Sequence, residues 1–429
     1  MNLLLVKEKF QQEVILDVDG ARNTNLLIAR EFVTLCLKVL GGFALTLVLA
    51  PISLFRPIEI WQMQTRRSKI SFFIRDLEFG LQNIKARGQL GKIFVFVLYP
   101  IPFPNQQLAI MYRRYVTIIG EKQYLLAECM RFVLRFGRIE KKGRITPKSA
   151  DRLELWNLRT PTLEFTNREI RNGLELNEKL GLIPSLPYVC LAFSSKEYRE
   201  SADYALNKYN NKGTGKRDNL IDVIPEIDTY VPVINSLTNS RIQVVRTGKF
   251  ETVPLPNNLG GLVHDYSLTC QSPFGDVWLY SRCLFALAAG SGSHWFASIF
   301  NKPSVFTDQF ILIGTYGKRD LYIPQLSLML EDQRLAPFEW MLEPKNFEWA
   351  LDDTRLGVEY QIVKNSRQQI IDVTIEMVER LNGTWVETKE DFDLQERFRK
   401  LYEVRPIQDR NPARIGAKFL REHQHLLPD

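Results

Sequence analysis

The sequence predicts an α/β protein of two lobes, each a parallel sheet wrapped by helices, behind an apolar amino-terminal segment. Three observations lead there. Short, almost wholly apolar runs recur along the chain, at Lys92–Tyr99, Tyr188–Phe193 and Leu284–Ala289, as strands covered on both faces require. Segments of helical period separate them, which is the βα rhythm of a parallel sheet. With 429 residues, the chain exceeds what one hydrophobic core usually carries.

The most informative stretch runs from Cys283 to Pro303. The strand-like run Leu284–Ala289 stops at Gly290-Ser291-Gly292-Ser293. An apolar-periodic segment follows (Trp295, Phe296, Ile299, Phe300), then Pro303 and a second short strand, Ser304–Phe306. That order is one βαβ unit, with its glycine-serine turn at the carboxyl end of a parallel strand, where open α/β sheets bind ligands. Unpaired N–H groups there suit an anion such as a diphosphate. Small residues also serve plain close packing at such turns, so on general grounds both readings stand.

Other elements follow from the same patterns. Leu125–Phe136 reads as an amphipathic helix stopped by Gly137, and Asn167–Leu180 as one stopped by Gly181. Gln106–Ile119 mixes helical and strand-like spacing. Arg138–Arg152 is basic, breaks the pattern and is expected to be exposed. Ile227–Thr238 is helical in period, and Ile242–Gly248 reads as a strand ending in a glycine turn at Gly248. Asp276–Tyr280 fits a short strand or helix, and Arg367–Leu381 an amphipathic helix ended at Gly383. Lys208–Asn219 reads equally as a loop over a cleft or a solvated connector. The lobe boundary falls between Gly181 and Lys216. The working division is 1–56 for the amino-terminal segment, 57–200 and 201–400 for two Rossmann-like lobes facing a cleft, and 401–429 for a charged tail that wraps back or frays.

Composition bounds the partners. A net charge of +7 favours anionic ligands without demanding nucleic acid, and no nucleic-acid motif is present. Five scattered cysteines, Cys36, Cys129, Cys190, Cys270 and Cys283, argue against a disulfide framework and for a reducing compartment. The four histidines form no metal-ligand spacing: His423 and His425 fall in the charged tail, where solvation is expected, and His264 and His294 near the suspected site. His294 reads first as a helix-start residue.

From Phe32 to Phe55 the chain is almost wholly apolar, with Lys38 the only charge, and Val39–Phe55 is uncharged. Its 17 residues sit at the low edge of what a bilayer-spanning helix needs. Arg56, Arg66, Arg67 and Lys69 follow, placing that side in the cytoplasm. The segment is expected to attach the chain to the cytoplasmic face of the inner membrane, by spanning or by monotopic insertion. The competing reading is a buried hairpin or core helix.

A series of short blocks carries a resemblance. They are Tyr188–Leu191, Asp228-Thr-Tyr230, Val-Val-Arg246-Thr-Gly248, Asp265-Tyr266, Asp276 before Cys283, Ser291-Gly292 with Lys302-Pro303, Asn365-Ser366, Glu376-Met377 and Asn382–Trp385. Their order, from about Leu54 to Phe398, resembles a family of bacterial glycosyltransferases encoded with surface-polysaccharide (O-antigen or capsule) genes. The resemblance implies a GT-B-type fold, an acceptor on the first lobe and a nucleotide-sugar on the second. It also implies a lipid-linked or polysaccharide acceptor, no cofactor beyond the nucleotide-sugar co-substrate, and no metal. Donor-binding candidates are Arg246, Gly248, Gly290, Ser291, Gly292 and Ser293. Arg246 offers a forked donor to a phosphate, though a salt-bridged arginine at a strand end is the plainer reading. Asp265 and Asp308 are candidate catalytic carboxylates, Asp265 being also a natural turn-former and Glu376 more plausibly a packing or salt-bridge residue. Two departures stand out: Ser194-Ser195 where the family has Arg-Asp, and Asp308 where it has Asn. They keep open a catalytically inactive sugar-nucleotide-binding or scaffolding protein. An epimerase-like enzyme of phosphorylated substrates ranks last, since no amino-terminal Gly-x-Gly-x-x-Gly is present.

Overall fold

The computed structural model describes residues 21–63, 70–99, 101–142, 157, 160–193, 226–249, 253–309, 317–343, 346, 357–403 and 413–428. The chain divides into two compact units. One comprises residues 1–65, 91–102 and 115–144, the other 66–90, 103–114 and 145–429.

The smaller unit is built on four strands, β1 (Ile58–Gln62), β2 (Phe94–Leu98), β3 (Thr117–Ile119) and β4 (Ile139–Lys142). Every pairing is parallel and the order is β3-β2-β1-β4. The core gathers Ile58, Ile60, Leu98, Ile119 and Ile139 with Met130 and Val133. Glu59, buried on β1, accepts from Trp61 Nε1 (2.8 Å) and Lys142 Nζ (2.6 Å). The apolar amino-terminal segment is one helix, Ala21–Phe55, and lies against the Tyr124–Arg131 helix.

Two expectations change here. The basic stretch from Arg138 was expected to be exposed, but its first part is β4, because Ile139 is buried and Lys142 answers the Glu59 carboxylate; residues 143–152 lie outside the described residues. The helix expected to reach Phe136 ends at Arg131. Its chain then turns so that Leu134 N–H donates to Thr46 Oγ1 of the amino-terminal helix (2.9 Å).

Among the described residues, the main sheet of the larger unit has seven strands: β5 (Tyr188–Phe193), β6 (Gln243–Thr247), β7 (Val263–Asp265), β8 (Ala286–Ala289), β9 (Ser304–Gln309), β10 (Leu321–Pro324) and β13 (Arg414–Ile415). The order is β13-β10-β9-β8-β5-β6-β7 and all pairings are parallel. β11 (Leu326–Met329) and β12 (Tyr360–Val363) form a separate antiparallel pair. Numbered from β5, the sheet runs 3-2-1-4-5-6-7, the doubly wound plan; the smaller sheet runs 3-2-1-4. The α/β expectation of two Rossmann-like sheets is what the chain forms. β5 sits on the amino-terminal side of the working division at 200/201 yet pairs on both edges within the larger sheet, as its six buried residues require.

Local chemistry sets the helices. Thr166 and Glu169 form a capping box at the start of the Asn167–Lys179 helix, and Ser366 with Gln369 does the same for Arg367–Asn382. Gly383, at φ +72°, ends the latter in the left-handed conformation. Gly173 is fixed by packing, since a Cβ there would lie 2.1 Å from Trp278 Cε2. The tail wraps back. Arg414–Ile415 extends the sheet, and Phe419, Leu420, Leu426 and Leu427 join the core. His423 is therefore half-buried rather than solvated, its Nδ1 2.8 Å from the Phe419 carbonyl and its pKa pushed down by burial.

Candidate functional site

In the larger unit the chain leaves β5 toward β6 and leaves β8 toward β9, in opposite directions along the sheet. Right-handed crossovers then place the Ile227–Asn239 and His294–Ile299 helices on opposite faces. Between β5 and β8 this opens a crevice at the carboxyl ends, the usual ligand site of such sheets. Register puts Thr247 beside Ala192, Phe193 beside Ala289, and Ala289 beside Thr307. Residues 194–225, including Ser194-Ser195 and the Lys208–Asn219 tract, lie outside the described residues.

The turn leaving β8 stands where the sequence put it. Gly290 takes φ +59°, which favours glycine, and its N–H donates to Thr307 O (3.1 Å), closing the end of β8 on β9. Among the described residues, the N–H groups of Ser291 and Gly292 have no hydrogen-bond partner. A Cβ on Gly292 would meet nothing nearer than Ile70 Cγ2 at 3.9 Å. Protein packing leaves that position open.

Hydroxyl groups support the turn from below. Tyr280 OH donates to Ser293 Oγ (2.9 Å), Ser293 Oγ lies 2.9 Å from Ser291 Oγ, and Thr247 Oγ1 lies 2.6 Å from Tyr280 OH. Thr247 Oγ1 also lies 3.2 Å from Leu191 O, and its single proton serves the shorter contact to Tyr280. The chain of hydroxyls runs from the ends of β5 and β6 to the turn and orients both serines. Burial holds the Tyr280 phenol well above its ordinary pKa, so it stays a donor at any physiological pH.

His294 follows the turn. Its Nδ1 lies 3.0 Å from Ser291 O, so Nδ1–H donates and Nε2 is left as an acceptor. That Nε2 is buried with no partner among the described residues. The ring stands edge-on to Phe306 at 4.6 Å. Burial pushes its pKa down to about 4, so the imidazole is neutral at pH 7. It opens the helix, as the sequence suggested, and also presents a polar atom the fold does not use.

Arg246 and Asp265 are brought together, but onto each other. Arg246 Nε and Nη2 donate to Asp265 Oδ1 (3.0 Å) and Oδ2 (2.6 Å), and Nη1 donates to Val253 O (2.7 Å). Arg246 is 2% exposed. The fork expected for a phosphate is engaged by the carboxylate expected to be a base, and the same carboxylate caps Leu268 N–H (3.4 Å). The plainer reading of both residues describes this geometry. Gly248 follows β6 at φ +154°.

Asp308, next to last in β9, takes φ +50°, a conformation few non-glycine residues adopt. Its Oδ2 accepts from Tyr230 OH (2.6 Å) and its Oδ1 from Asn365 N–H (3.1 Å), while its own N–H donates to Asn365 Oδ1 (2.6 Å). Burial raises its pKa. The carboxyl clasps the end of β9 to the start of the Arg367–Asn382 helix and is enclosed on both oxygens.

Asp276 acquires a character its sequence position did not announce. It lies one helical turn before Tyr280 on the same face of the Pro273–Arg282 helix. Its oxygens accept from Tyr266 OH (3.1 Å) and Gln271 Nε2 (3.0 Å). Desolvation, outweighing those bonds, raises its pKa to about 7. A half-buried carboxyl that titrates near neutrality is suited to proton transfer. Among the described residues, no group of three or more His, Cys, Asp or Glu is placed to hold a metal ion.

No family model matches the chain, and no curated protein matches it. Among solved structures, the chain is similar to a glycosyl transferase of family 9 from Veillonella parvula, at 9% identity over 58% of this chain and 80% of that one, with a TM-score of 0.35. It is also similar to E. coli heptosyltransferase WaaC with ADP, at 11% identity over 62% and 90%, TM-score 0.35. A third is the dodecameric iron-containing heptosyltransferase TibC in complex with ADP-D-beta-D-heptose, at 14% identity over 60% of each chain, TM-score 0.32. All three scores lie below 0.5, and the strand orders of the two sheets carry the fold assignment.

Proposed function

We propose that the chain is a membrane-associated glycosyltransferase that moves a sugar from a nucleotide-sugar to a lipid-linked or polysaccharide acceptor in cell-surface glycan synthesis. Two doubly wound parallel sheets in one chain are the plan expected of a GT-B-type transferase. The observation that carries the reading is the Gly290–Ser293 turn at the β5/β8 crevice, with two N–H groups unclaimed among the described residues and a glycine that packing does not demand.

In this reading the donor diphosphate lies on the Ser291 and Gly292 N–H groups and the two serine hydroxyls, which Tyr280 and Thr247 hold in place. Donors fixed before charge develops need no reorganisation as the leaving diphosphate gains it. His294 Nε2 accepts from a hydroxyl or N–H of the donor. The bond between the anomeric carbon and the diphosphate oxygen breaks, an acceptor oxygen bonds to that carbon, and the acceptor proton passes to a base. Asp276, with its pKa near 7, takes that part in preference to Asp265, whose charge is held by the Arg246 guanidinium, and Asp308, which clasps Tyr230 and Asn365. The proposal includes transfer without a metal ion, so activity should persist in EDTA.

The test is a panel of nucleotide-sugars assayed for transfer and hydrolysis with the parent chain and Gly292→Trp. One nucleotide class should support turnover, and Gly292→Trp should lose it while melting near the parent temperature. A well-folded parent that neither binds nor turns over any nucleotide-sugar would replace the proposal with the non-catalytic scaffold.

A further inference from the structure

The amino-terminal helix is turned inside out relative to a helix of a soluble protein. The stripe it packs inward is small or polar but for one leucine: Gly42, Thr46, Leu49 and Ser53, at spacings of four, three and four, are its contact with the four-stranded unit. The face it turns outward is large and apolar, with Phe32, Leu40, Phe43, Leu47 and Leu54 all more than half exposed. Glycine, serine and threonine between helices with leucine and phenylalanine outside is the arrangement lipid selects.

The inward stripe is firmly held. A Cβ on Gly42 would lie 2.5 Å from Phe132 Cβ, and one on Gly41 2.6 Å from Cys129 Sγ, so the helices meet at backbone distance. Thr46 Oγ1 donates to Gly42 O (2.8 Å) while accepting from Leu134 N–H. Lys38 Nζ reaches Glu128 Oε2 at 3.1 Å, and Arg131 holds the other oxygen at 2.8 Å. The outward face continues beyond the helix onto Leu125, Leu126, Leu134 and Phe136, which are exposed in the same unit. Lys122, Arg135 and Arg138 are exposed among them.

We infer that this helix does not cross the bilayer but lies in the plane of one leaflet, its outward face and the Leu125–Phe136 segment among the acyl chains and the basic residues against anionic headgroups. A crossing helix would carry its fixed neighbours to hydrocarbon depth, including the Lys38–Glu128–Arg131 cluster and the backbone of the 132–138 turn. Hydrocarbon does not accept irregular backbone, and it penalises charge heavily. An in-plane helix needs only its outward face covered, and basic side chains at its rim gain from an anionic surface. The inference deepens the proposed membrane association and rests on that part of the reading.

The experiment adds purified full-length chain to preformed phosphatidylcholine vesicles, with and without phosphatidylglycerol, and reads co-flotation. The parent should float, more so with phosphatidylglycerol and less at high salt. Leu40→Glu/Leu47→Glu, both at exposed positions, should lower the bound fraction about tenfold or more and keep the parent melting temperature and nucleoside diphosphate response. Glu31→Cys and Lys92→Cys, one beyond each end of the apolar stretch, should both react with an impermeant maleimide outside the vesicles, above the background of the native cysteines. Protection of Glu31→Cys would mean a crossing helix and overturn the inference. Undiminished flotation of the double glutamate variant would overturn it too. So would a lipid-free parent dimer that the same variant dissociates, since a second copy would then be the occupant. Loss of flotation with the nucleotide response intact, or the reverse, separates this inference from the donor-site proposal.

Discussion

Replacing Arg246 with methionine should destabilise the larger unit before it says anything about catalysis. The guanidinium is 2% exposed and donates three hydrogen bonds, two to Asp265 and one to Val253 O. Methionine fills much of the volume but leaves the Asp265 carboxylate, 18% exposed, without its counter-charge and the Val253 carbonyl without a donor. Breaking one side of such a pair costs about 3 kcal/mol or more, which lowers the melting temperature by roughly 5 °C in a unit of this size. Removing both charges should cost less than removing one. Arg246→Met/Asp265→Leu should therefore melt above Arg246→Met, and a double-mutant cycle over the two sites should give a coupling of about 1–3 kcal/mol. The assay is differential scanning calorimetry of the four proteins, each repeated with a saturating nucleoside diphosphate. An Arg246→Met protein that melts within about 2 °C of the parent yet loses its nucleotide response would refute the reasoning and assign the guanidinium to the ligand.

Asp276 gives a pH signature. Its folded-state pKa of about 7 stands above the ordinary 3.8, so the folded chain holds a proton that the unfolded chain releases. The resulting stability is present below about pH 4 and is lost as pH rises to about 7; Asp276→Asn should flatten the melting temperature between pH 5 and 8, and an unchanged slope would remove the assignment. Gly42→Leu should destabilise the smaller unit by about 1–3 kcal/mol, read by thermal melting against Gly260→Ala, where nothing lies within 4 Å of the added Cβ. His294→Phe keeps an edge-on ring against Phe306 and deletes both ring nitrogens; it should weaken nucleotide-sugar binding about tenfold or more, in proportion to a lost hydrogen bond to buried Nε2, and equal affinity by calorimetry would make the histidine purely structural.

The sequence was legible where pattern and packing agree. Tyr188–Phe193 is apolar on every residue and became a central strand, as did the short run at Ser304–Phe306, and the glycine-serine turn between β8 and β9 declared itself because two glycines and two serines interrupt an apolar run. Arg367–Asn382 combined a capping box, an apolar stripe and a stop glycine, so its limits were readable to within a residue. β4 was not, since Ile-Glu-Lys-Lys becomes a strand only because Glu59, far away in sequence, supplies a counter-charge. The site was legible in its backbone and not in its side chains. Arg246 and Asp265 are 19 residues apart, and nothing local announces that they answer each other. Tyr280, Asp276 and the orphaned His294 Nε2 owe their character to burial that only the assembled sheet provides. A tyrosine four residues after an aspartate on a helix starting at Ser-Pro was the one available hint.

The most direct measurement is a thermal-shift titration of the parent chain and Gly292→Trp with a panel of nucleoside diphosphates and nucleotide-sugars. Binding to the folded state raises the melting temperature by mass action. The account predicts a shift with one nucleotide class that Gly292→Trp abolishes while keeping the ligand-free melting temperature. An equal shift in both proteins would place the nucleotide elsewhere, and no shift in a well-folded parent would contradict the account of the β5/β8 crevice as a donor site.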